Sequence, residues 1–153
     1  MKVVPFKNKY QPLIDEMLAE IQKEFDHPFT SASSKRMMDA NKVRGTKFWV
    51  LMDDEVLAGT VGIIKMKNNS LALKSFFIPL KYRGSGAAKI LLDTVIYFSK
   101  KKKIQTIYLG TMDQMKAAHR FYEKNGFVKT DEKDLPTDFP ANVLDTVFYK
   151  LEL

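Results

Sequence analysis

Three strand-like segments follow one another between residues 47 and 78, and this run constrains the fold more than any other feature. Lys47 to Met52 and Val56 to Lys67 are rich in β-branched and aromatic residues, and a short acidic connection joins them. Leu71 to Ile78 continues the run after Asn68-Asn69. Short polar connections of this kind join antiparallel strands. The run therefore predicts an antiparallel sheet that begins with a β-hairpin.

Helical and strand-like segments flank this run on both sides. Apolar residues at three- and four-residue steps predict helices over Gln11 to Phe25, Gly86 to Lys103 and Gln114 to Lys124. Further strands are predicted at Lys2 to Lys7, Ile104 to Leu109 and Val143 to Leu151. This order predicts an α/β (α+β) fold, with a mixed, mainly antiparallel central sheet flanked by helices. We expect one domain over residues 1–153.

The third strand carries a specific prediction about its two faces. Strict alternation places Leu71, Leu73 and Phe77 on one face of the sheet. Lys74 and Phe76 then share the other face. One of the two phenylalanines is therefore expected in the core, and the other is expected to line a cleft.

Cysteine is absent, and the chain has only two histidines, His27 and His119. No disulfide, thiolate metal site or cysteine nucleophile can form, and neither histidine has ligand-like neighbours in the sequence. We therefore expect no metal centre and a cytoplasmic location. The apolar run in the first ten residues is too short for a signal peptide, and no later run approaches the ~20 residues of a membrane span.

The net charge of +7 predicts attraction to anions. Nucleic acid, a membrane surface and a phosphate-rich small molecule all satisfy that charge. Nucleic-acid surfaces usually interleave basic residues with exposed aromatic residues, whereas the lysines here are scattered or form the single block Lys100 to Lys103. A non-catalytic nucleic-acid-binding module is therefore the disfavoured alternative.

A glycine-containing turn lies between the third strand and the following helix. It consists of Arg83, Gly84, Ser85, Gly86, Ala87 and Ala88. A helix start leaves amide groups unpaired and carries positive dipole charge, so such a turn can wrap a pyrophosphate. Lys81 and Lys89 add positive charge. An ordinary tight turn is the alternative, and the spacing matches neither a Walker loop nor a Rossmann fingerprint.

A second motif ends the helix Gln114 to Lys124. It runs Phe121-Tyr122-Glu123-Lys124-Asn125-Gly126-Phe127, where the glycine indicates a left-handed helix stop. With both motifs in the same chain, the sequence resembles the GNAT superfamily of acetyl-coenzyme A-dependent N-acyltransferases. The turn matches that family's Arg/Gln-x-x-Gly-x-Gly/Ala pyrophosphate loop, and the second motif matches its Phe/Leu-Tyr-Glu-Lys-x-Gly-Phe helix end. The resemblance extends over essentially the whole chain.

The resemblance implies a GNAT-like sheet and an enzyme that moves an acetyl group from acetyl-CoA to a primary amine of a small molecule or peptide. The backbone amides from Arg83 through Ala88 would hold the coenzyme A pyrophosphate. Phe77 and Ile78 would pair with pantetheine and polarise the thioester carbonyl. Met115 stands where many relatives have an asparagine, so hydrophobic packing is expected to replace that contact.

Tyr122 is the catalytic residue that the resemblance implies. Its phenol would face the sulfur and protonate the departing thiolate, and Ala118, one helical turn earlier, leaves room for the ligand. The strand Leu71 to Ile78 has no carboxylate to act as a base, so water is expected to carry the amine proton. His119 lies on the same helix face and is a candidate relay, although a packing or surface role is expected.

Two questions stay open at this point. A degenerate member of the family that binds coenzyme A without catalysis is a further alternative. The expected partners are acetyl-CoA and an amine acceptor, with no membrane, but the sequence names neither the acceptor nor the oligomeric state and leaves a homodimer open.

Overall fold

A computed structural model describes residues 1–30 and 35–153. Within them, the strands are β1 (Lys2–Pro5), β2 (Thr46–Asp53), β3 (Val56–Met66), β4 (Ser70–Phe77), β5 (Thr106–Thr111), β6 (Val128–Thr130) and β7 (Val147–Glu152). The α-helices are α1 (Gln11–Gln22), α2 (Met37–Ala40), α3 (Ala87–Lys101) and α4 (Lys116–Lys124). The sequence also predicts a short helix through Met37, Met38 and Ala40 with Ser33 or Ser34 as its cap. Both serines lie outside the described residues. None of the helices in the described part of the chain is long and apolar enough to cross a membrane.

All seven strands form one sheet in the order β1-β2-β3-β4-β5-β7-β6. Every neighbouring pair is antiparallel except β4 and β5, which run parallel. The predicted mixed, mainly antiparallel sheet flanked by helices is confirmed. The three-residue strand β6 was not predicted, and β7 begins at Val147 rather than at Val143, which is 83% exposed.

Helices cover both faces of this sheet. One core cluster packs α3 and α4 against the sheet and includes Trp49, Leu71, Leu91 and Tyr122. The other packs α1 and α2 against the opposite face and includes Ile14 and Phe48. We refer to these two sides as the α3/α4 face and the α1/α2 face.

A β-bulge in β4 changes which residues face each side. Between the pairs Thr60–Phe77 and Gly62–Lys74, β4 contains one more residue than β3, and Ser75 adopts a left-handed φ of 51°. An extra residue inverts the alternation beyond it. Phe76 therefore packs on the α3/α4 face and Phe77 on the α1/α2 face, so the prediction that Phe77 shares a face with Leu71 and Leu73 is wrong.

The parallel pair β4 and β5 separates soon after it begins. The ladder joins Ser70–Ala72 to Thr106–Tyr108, although β4 runs on to Phe77 and β5 to Thr111. Beyond the ladder, β4 continues against β3 while β5 continues against β7. The carboxyl ends of the two strands therefore border a gap in the middle of the sheet.

Candidate functional site

The turn between β4 and α3 is built on two left-handed glycines. Gly84 has a φ of 78°, and Gly86, the N-cap of α3, has a φ of 91°. A side chain is disfavoured at such angles. Apart from chain neighbours, no heavy atom of the described residues lies within 4 Å of where a Cβ would stand on either glycine. The outer side of the turn is therefore open to a ligand.

The amides of this turn alternate between bonded and free. The Arg83 and Ser85 amides donate to carbonyl oxygens of the preceding 3-10 turn, and the Ala87 amide donates to the Ser85 hydroxyl at 3.3 Å. The amides of Gly84, Gly86 and Ala88 donate to no group in residues 1–30 and 35–153. Free amides at the start of a 15-residue helix, aided by its dipole, are suited to bind an anion.

The Arg83 side chain points away from these amides and braces the turn. Its Nε donates to the Ile78 carbonyl at 3.0 Å, and its terminal nitrogens form an ion pair with the Glu24 carboxylate beyond α1. Lys89 forms an ion pair with Asp93. These two positive charges are thus partly neutralised, and the free amides remain the groups best placed to hold an anion.

Tyr122 lies on the α3/α4 face, across the end of β5. Its ring centroid is 6.2 Å from that of Phe76 in β4 and 5.8 Å from that of Tyr149 in β7. The Tyr122 hydroxyl donates no hydrogen bond to a described residue, yet no buried polar side-chain atom among those residues lacks a partner. Its hydroxyl therefore keeps some accessible surface. Burial, followed by the nearby Asp145 charge, raises the Tyr122 pKa well above its usual value.

The end of β4 offers a further free donor at the gap. Ile78 follows the strand, and its amide donates to no described residue while its carbonyl accepts the Arg83 Nε hydrogen bond. Phe77 packs its ring 5.3 Å from that of Phe29 on the α1/α2 face. The Ile78 amide is therefore available to a ligand that enters between β4 and β5.

Two oppositely charged side chains border the gap on the α1/α2 face. Lys74 of β4 donates from Nζ to the Pro140 carbonyl at 2.5 Å. Asp145 lies against β5, because a Cβ built on Gly110 would stand 2.5 Å from its Oδ2 atom. Burial lowers the Lys74 pKa and raises the Asp145 pKa, and in each case the other charge opposes the shift. Such paired, half-buried charges are typical of binding and catalytic sites.

Comparison with known proteins decides the family. The Acetyltransferase (GNAT) family model matches residues 14–127, well over half of the 153 residues. The chain belongs to the GNAT family of acetyltransferases. The matched region includes both motifs on which the resemblance rested.

Curated relatives of this GNAT chain are longer proteins. N-acetyltransferase 8B of Homo sapiens is 30% identical over 93 residues, which make up 58% of this chain and 41% of that protein. N-acetylaspartate synthetase of Xenopus tropicalis is 32% identical over 117 residues, or 72% of this chain and 42% of that protein. The GNAT chain thus spans about two fifths of the length of the curated relatives it matches.

Solved structures share the whole GNAT fold. An acetyltransferase of the GNAT family from Staphylococcus aureus Mu50 has a TM-score of 0.88 at 31% identity, covering 99% of this chain and 98% of that one. The PaiA N-acetyltransferase from Thermoplasma acidophilum, solved in complex with coenzyme A, has a TM-score of 0.76 at 18% identity, with 100% of both chains covered. The second likeness shows the fold alone.

The remaining predicted site residues of the GNAT chain lie along α4. Met115, its N-cap, packs against the α1/α2 core cluster, and the Thr111 hydroxyl approaches its sulfur at 3.7 Å. Ala118 packs on the α3/α4 face near Tyr122. His119 is buried, and its Nε2 lies 3.0 Å from the Met112 carbonyl. Burial lowers the His119 pKa, so the ring is neutral near pH 7.

Sequence reasoning missed Lys74 and Asp145 as site residues. The strand β4 contains no carboxylate, and Asp145 precedes β7 in the sequence and reaches the gap only through the fold. One signal was present, since Lys74 is a charged residue inside an otherwise apolar strand.

Proposed function

We propose that this chain transfers an acetyl group from acetyl-CoA to a primary amine of a small molecule or peptide, by direct transfer in a ternary complex. The observation that carries the proposal is one juxtaposition. Three amides at the start of α3 adjoin a gap between β4 and β5, and neither these amides nor the Tyr122 hydroxyl beside the gap has a partner among residues 1–30 and 35–153. Membership in the GNAT family supports the same reaction.

The residues fit coenzyme A as a ligand. The amides of Gly84, Gly86 and Ala88 would bind its pyrophosphate, with the backbone of Arg83, Ser85 and Ala87 fixing the turn. Pantetheine would lie in the gap, flanked by Phe77 and Ile78 at the end of β4 and by Met115 and Ala118 at the start of α4. Bound coenzyme supplies the acetyl group as an activated thioester. The Ile78 amide would then stabilise negative charge on the thioester oxygen.

Tyr122 would act as the general acid. Its raised pKa keeps the phenol protonated at neutral pH, and its accessible hydroxyl can give a proton to the departing sulfur. The buried ring positions this hydroxyl through contacts with Phe76, Phe127 and Tyr149. This positioning contributes to the reaction rate, because the phenol proton and the sulfur must already lie close together when the proton is transferred.

The acceptor would approach from the α1/α2 face, opposite Tyr122. Phe29, Phe77 and Met112 line that side with apolar surface, and Lys74 and Asp145 add charge. An amine acceptor is also consistent with the names of the curated relatives. Residues 1–153 would act as one catalytic domain, since β1 and β7 belong to the same sheet. The absence of cysteine supports a cytoplasmic location, and we propose no metal requirement.

An amine panel tests the proposal. Purified protein is incubated with acetyl-CoA and, separately, phenylethylamine, L-aspartate, L-lysine or a peptide with a free N-terminus, and free thiol release is followed over acetyl-CoA hydrolysis alone. We expect at least one amine to raise thiol release and to yield its N-acetyl product by mass spectrometry. A melting temperature that rises with acetyl-CoA, and not with DNA, would accompany it. Coenzyme binding without any acetylated amine would favour a non-catalytic coenzyme A-binding module.

A further inference from the structure

Asp145 is the only carboxylate with a raised pKa among the described residues, and the mechanism above does not use it. The residue lies on the α1/α2 face of the gap, because its carboxylate occupies the side of Gly110 opposite the buried Leu109. Tyr122 lies on the other face. The two groups therefore border the same gap from opposite sides.

The Asp145 carboxylate has unused hydrogen-bonding capacity. Its one hydrogen bond among the described residues comes from the Asn142 amide at 3.4 Å, and no Lys, Arg or His nitrogen of those residues lies within 4.0 Å. A carboxylate accepts several hydrogen bonds, so most of its acceptor positions are free. A half-buried carboxylate without a directly hydrogen-bonded cation is costly unless a ligand supplies that contact, and the nearby Lys74 charge offsets only part of the cost.

The backbone of β5 leaves room for this carboxylate. Any side chain on Gly110 would collide with Asp145, since a Cβ there would lie 2.5 Å from Oδ2 and 2.9 Å from Cγ. The Asn142 side chain also fixes the turn before β7 by accepting the Leu144 amide at 3.0 Å. Asp145 is thus held over the carboxyl end of β5 by the local backbone.

We propose that Asp145 binds the acceptor as its ammonium ion and takes one proton from it, which makes the nitrogen nucleophilic. This inference rests on the proposed acetyl transfer. Asp145 takes the first proton and later releases it to water. The neutral nitrogen then forms the C–N bond as the C–S bond breaks, the sulfur takes the Tyr122 hydroxyl proton, and a second nitrogen proton returns to the Tyr122 oxygen. One proton stays on the amide nitrogen, so atoms and charge balance.

A binding experiment tests the ammonium site without turnover. ¹⁵N-labelled protein saturated with coenzyme A is titrated with n-butylammonium chloride and, separately, with 1-butanol, while the Gly110 amide signal is followed. We expect n-butylammonium to shift this signal in the wild type, with at least about tenfold weaker binding in Asp145→Asn, in keeping with a lost charge-assisted contact. Butanol should bind equally to both proteins. Equal n-butylammonium affinity in both, or no shift in the wild type, overturns the proposal.

A pH profile tests proton removal with the most active amine of the panel. Asp145 is faced by Lys74 from β4 and Tyr122 from α4. With Asp145 present, kcat/KM should be flat across neutral pH, because the enzyme uses the ammonium form. In Asp145→Asn it should be about 10²–10⁴-fold lower near pH 7 and rise about tenfold per pH unit toward the pKa of the amine. A loss that is equal at every pH overturns the base assignment.

Matched variants separate this role from folding. Gly110→Ala keeps the charge but displaces the carboxylate, so it should reproduce much of the loss of kcat/KM seen in Asp145→Asn. Asp145→Glu keeps a carboxylate and should therefore be more active than Asp145→Asn. Asp138→Asn, which changes an exposed carboxylate of the same connection, should match the wild type. If the panel shows acetylation and the Asp145 and Gly110 variants have the same kcat/KM as Asp138→Asn, the proposed function stands and Asp145 loses its role. If no amine is acetylated, the binding test still decides the ammonium site.

Discussion

The two sides of the gap are built in different ways. On the proposed coenzyme side, the free amides of Gly84, Gly86 and Ala88 come from six consecutive residues, 83–88, whose side chains point elsewhere or are small. On the proposed acceptor side, Lys74, Gly110 and Asp145 come from three separate segments and would act through side chains or through the space that a missing side chain leaves. A site built from backbone amides depends on the fold, whereas a site built from side chains can change its ligand by substitution without changing the fold.

Gly86→Asp should produce the largest effect and tests the backbone-built side. A side chain and a negative charge would stand where free amides face outward, so coenzyme binding should be abolished in calorimetry while the protein stays folded. Gly45→Asp is the matched control, because Gly45 has a similar φ of 86° but lies away from the turn. Both variants should lose about 1–2 kcal/mol of unfolding free energy through backbone strain. Unchanged acetyl-CoA affinity in folded Gly86→Asp would remove the turn from the site.

Tyr122→Phe should give the second largest effect, on catalysis alone. Loss of the hydroxyl should lower kcat by about 10²–10⁴-fold and leave the KM for acetyl-CoA nearly unchanged. The loss should be smaller with an acyl donor whose thiol has a lower pKa. Tyr149→Phe is the control, since that neighbouring phenol donates to Glu123 at 2.5 Å.

The pH dependence of kcat also tests whether Tyr122 is the general acid. Burial raises the pKa of Tyr149 to about 12 and raises that of Tyr122 as well. A general acid works below its pKa, so Tyr122 should cause no alkaline decline in kcat up to about pH 10. A Tyr122→Phe enzyme with full kcat would assign proton delivery to water or to another group.

Thr60→Val should have a moderate effect on stability, because it acts on the bulge that separates Phe76 from Phe77. The buried Thr60 hydroxyl donates to the Ser75 carbonyl at 2.8 Å. Its loss leaves that carbonyl without this donor and should cost about 1–3 kcal/mol in urea unfolding. Thr94→Val, which removes a similar bond on the exposed side of α3, should cost under about 0.5 kcal/mol. Equal losses would show that the bulge does not depend on Thr60.

Glu24→Gln should have the smallest effect, on coenzyme affinity. The amide retains one hydrogen bond to Arg83 but frees a positive charge beside the turn. Affinity for coenzyme A should rise about two- to fivefold at low salt, and the gain should vanish at high salt because the charge is screened. Glu20→Gln, which breaks an exposed pair with Lys23, should leave affinity unchanged. A gain that persists at high salt would point to a rearranged turn instead.

The turn that we propose for the coenzyme could be singled out from the sequence because its residues are consecutive. The helix stop at Gly126 was also predicted, and its φ of 90° confirms it. The faces of Phe76 and Phe77 were not predicted correctly, because the bulge at Ser75 depends on pairing with β3 and on the Thr60 hydroxyl. Single-strand alternation cannot reveal such a shift.

The proposed acceptor side could not be predicted, because its residues come together only after folding. Asp145 follows Gly110 by many residues, and the two meet through the pairing of β5 with β7. Nothing local to Asp145 marks it as buried. Its raised pKa follows from desolvation in the folded chain, which no sequence pattern encodes.

Titration of ¹⁵N-labelled protein with coenzyme A, read at individual backbone amides, tests the coenzyme-binding turn most directly. We predict that the Gly84, Gly86 and Ala88 signals shift together and saturate at one coenzyme per chain, because those amides gain a hydrogen-bond partner. The signals of Gly45 and Gly126, left-handed glycines outside the turn, should stay in place. Saturable coenzyme binding that leaves the three amide signals of the turn in place would contradict this role of the turn.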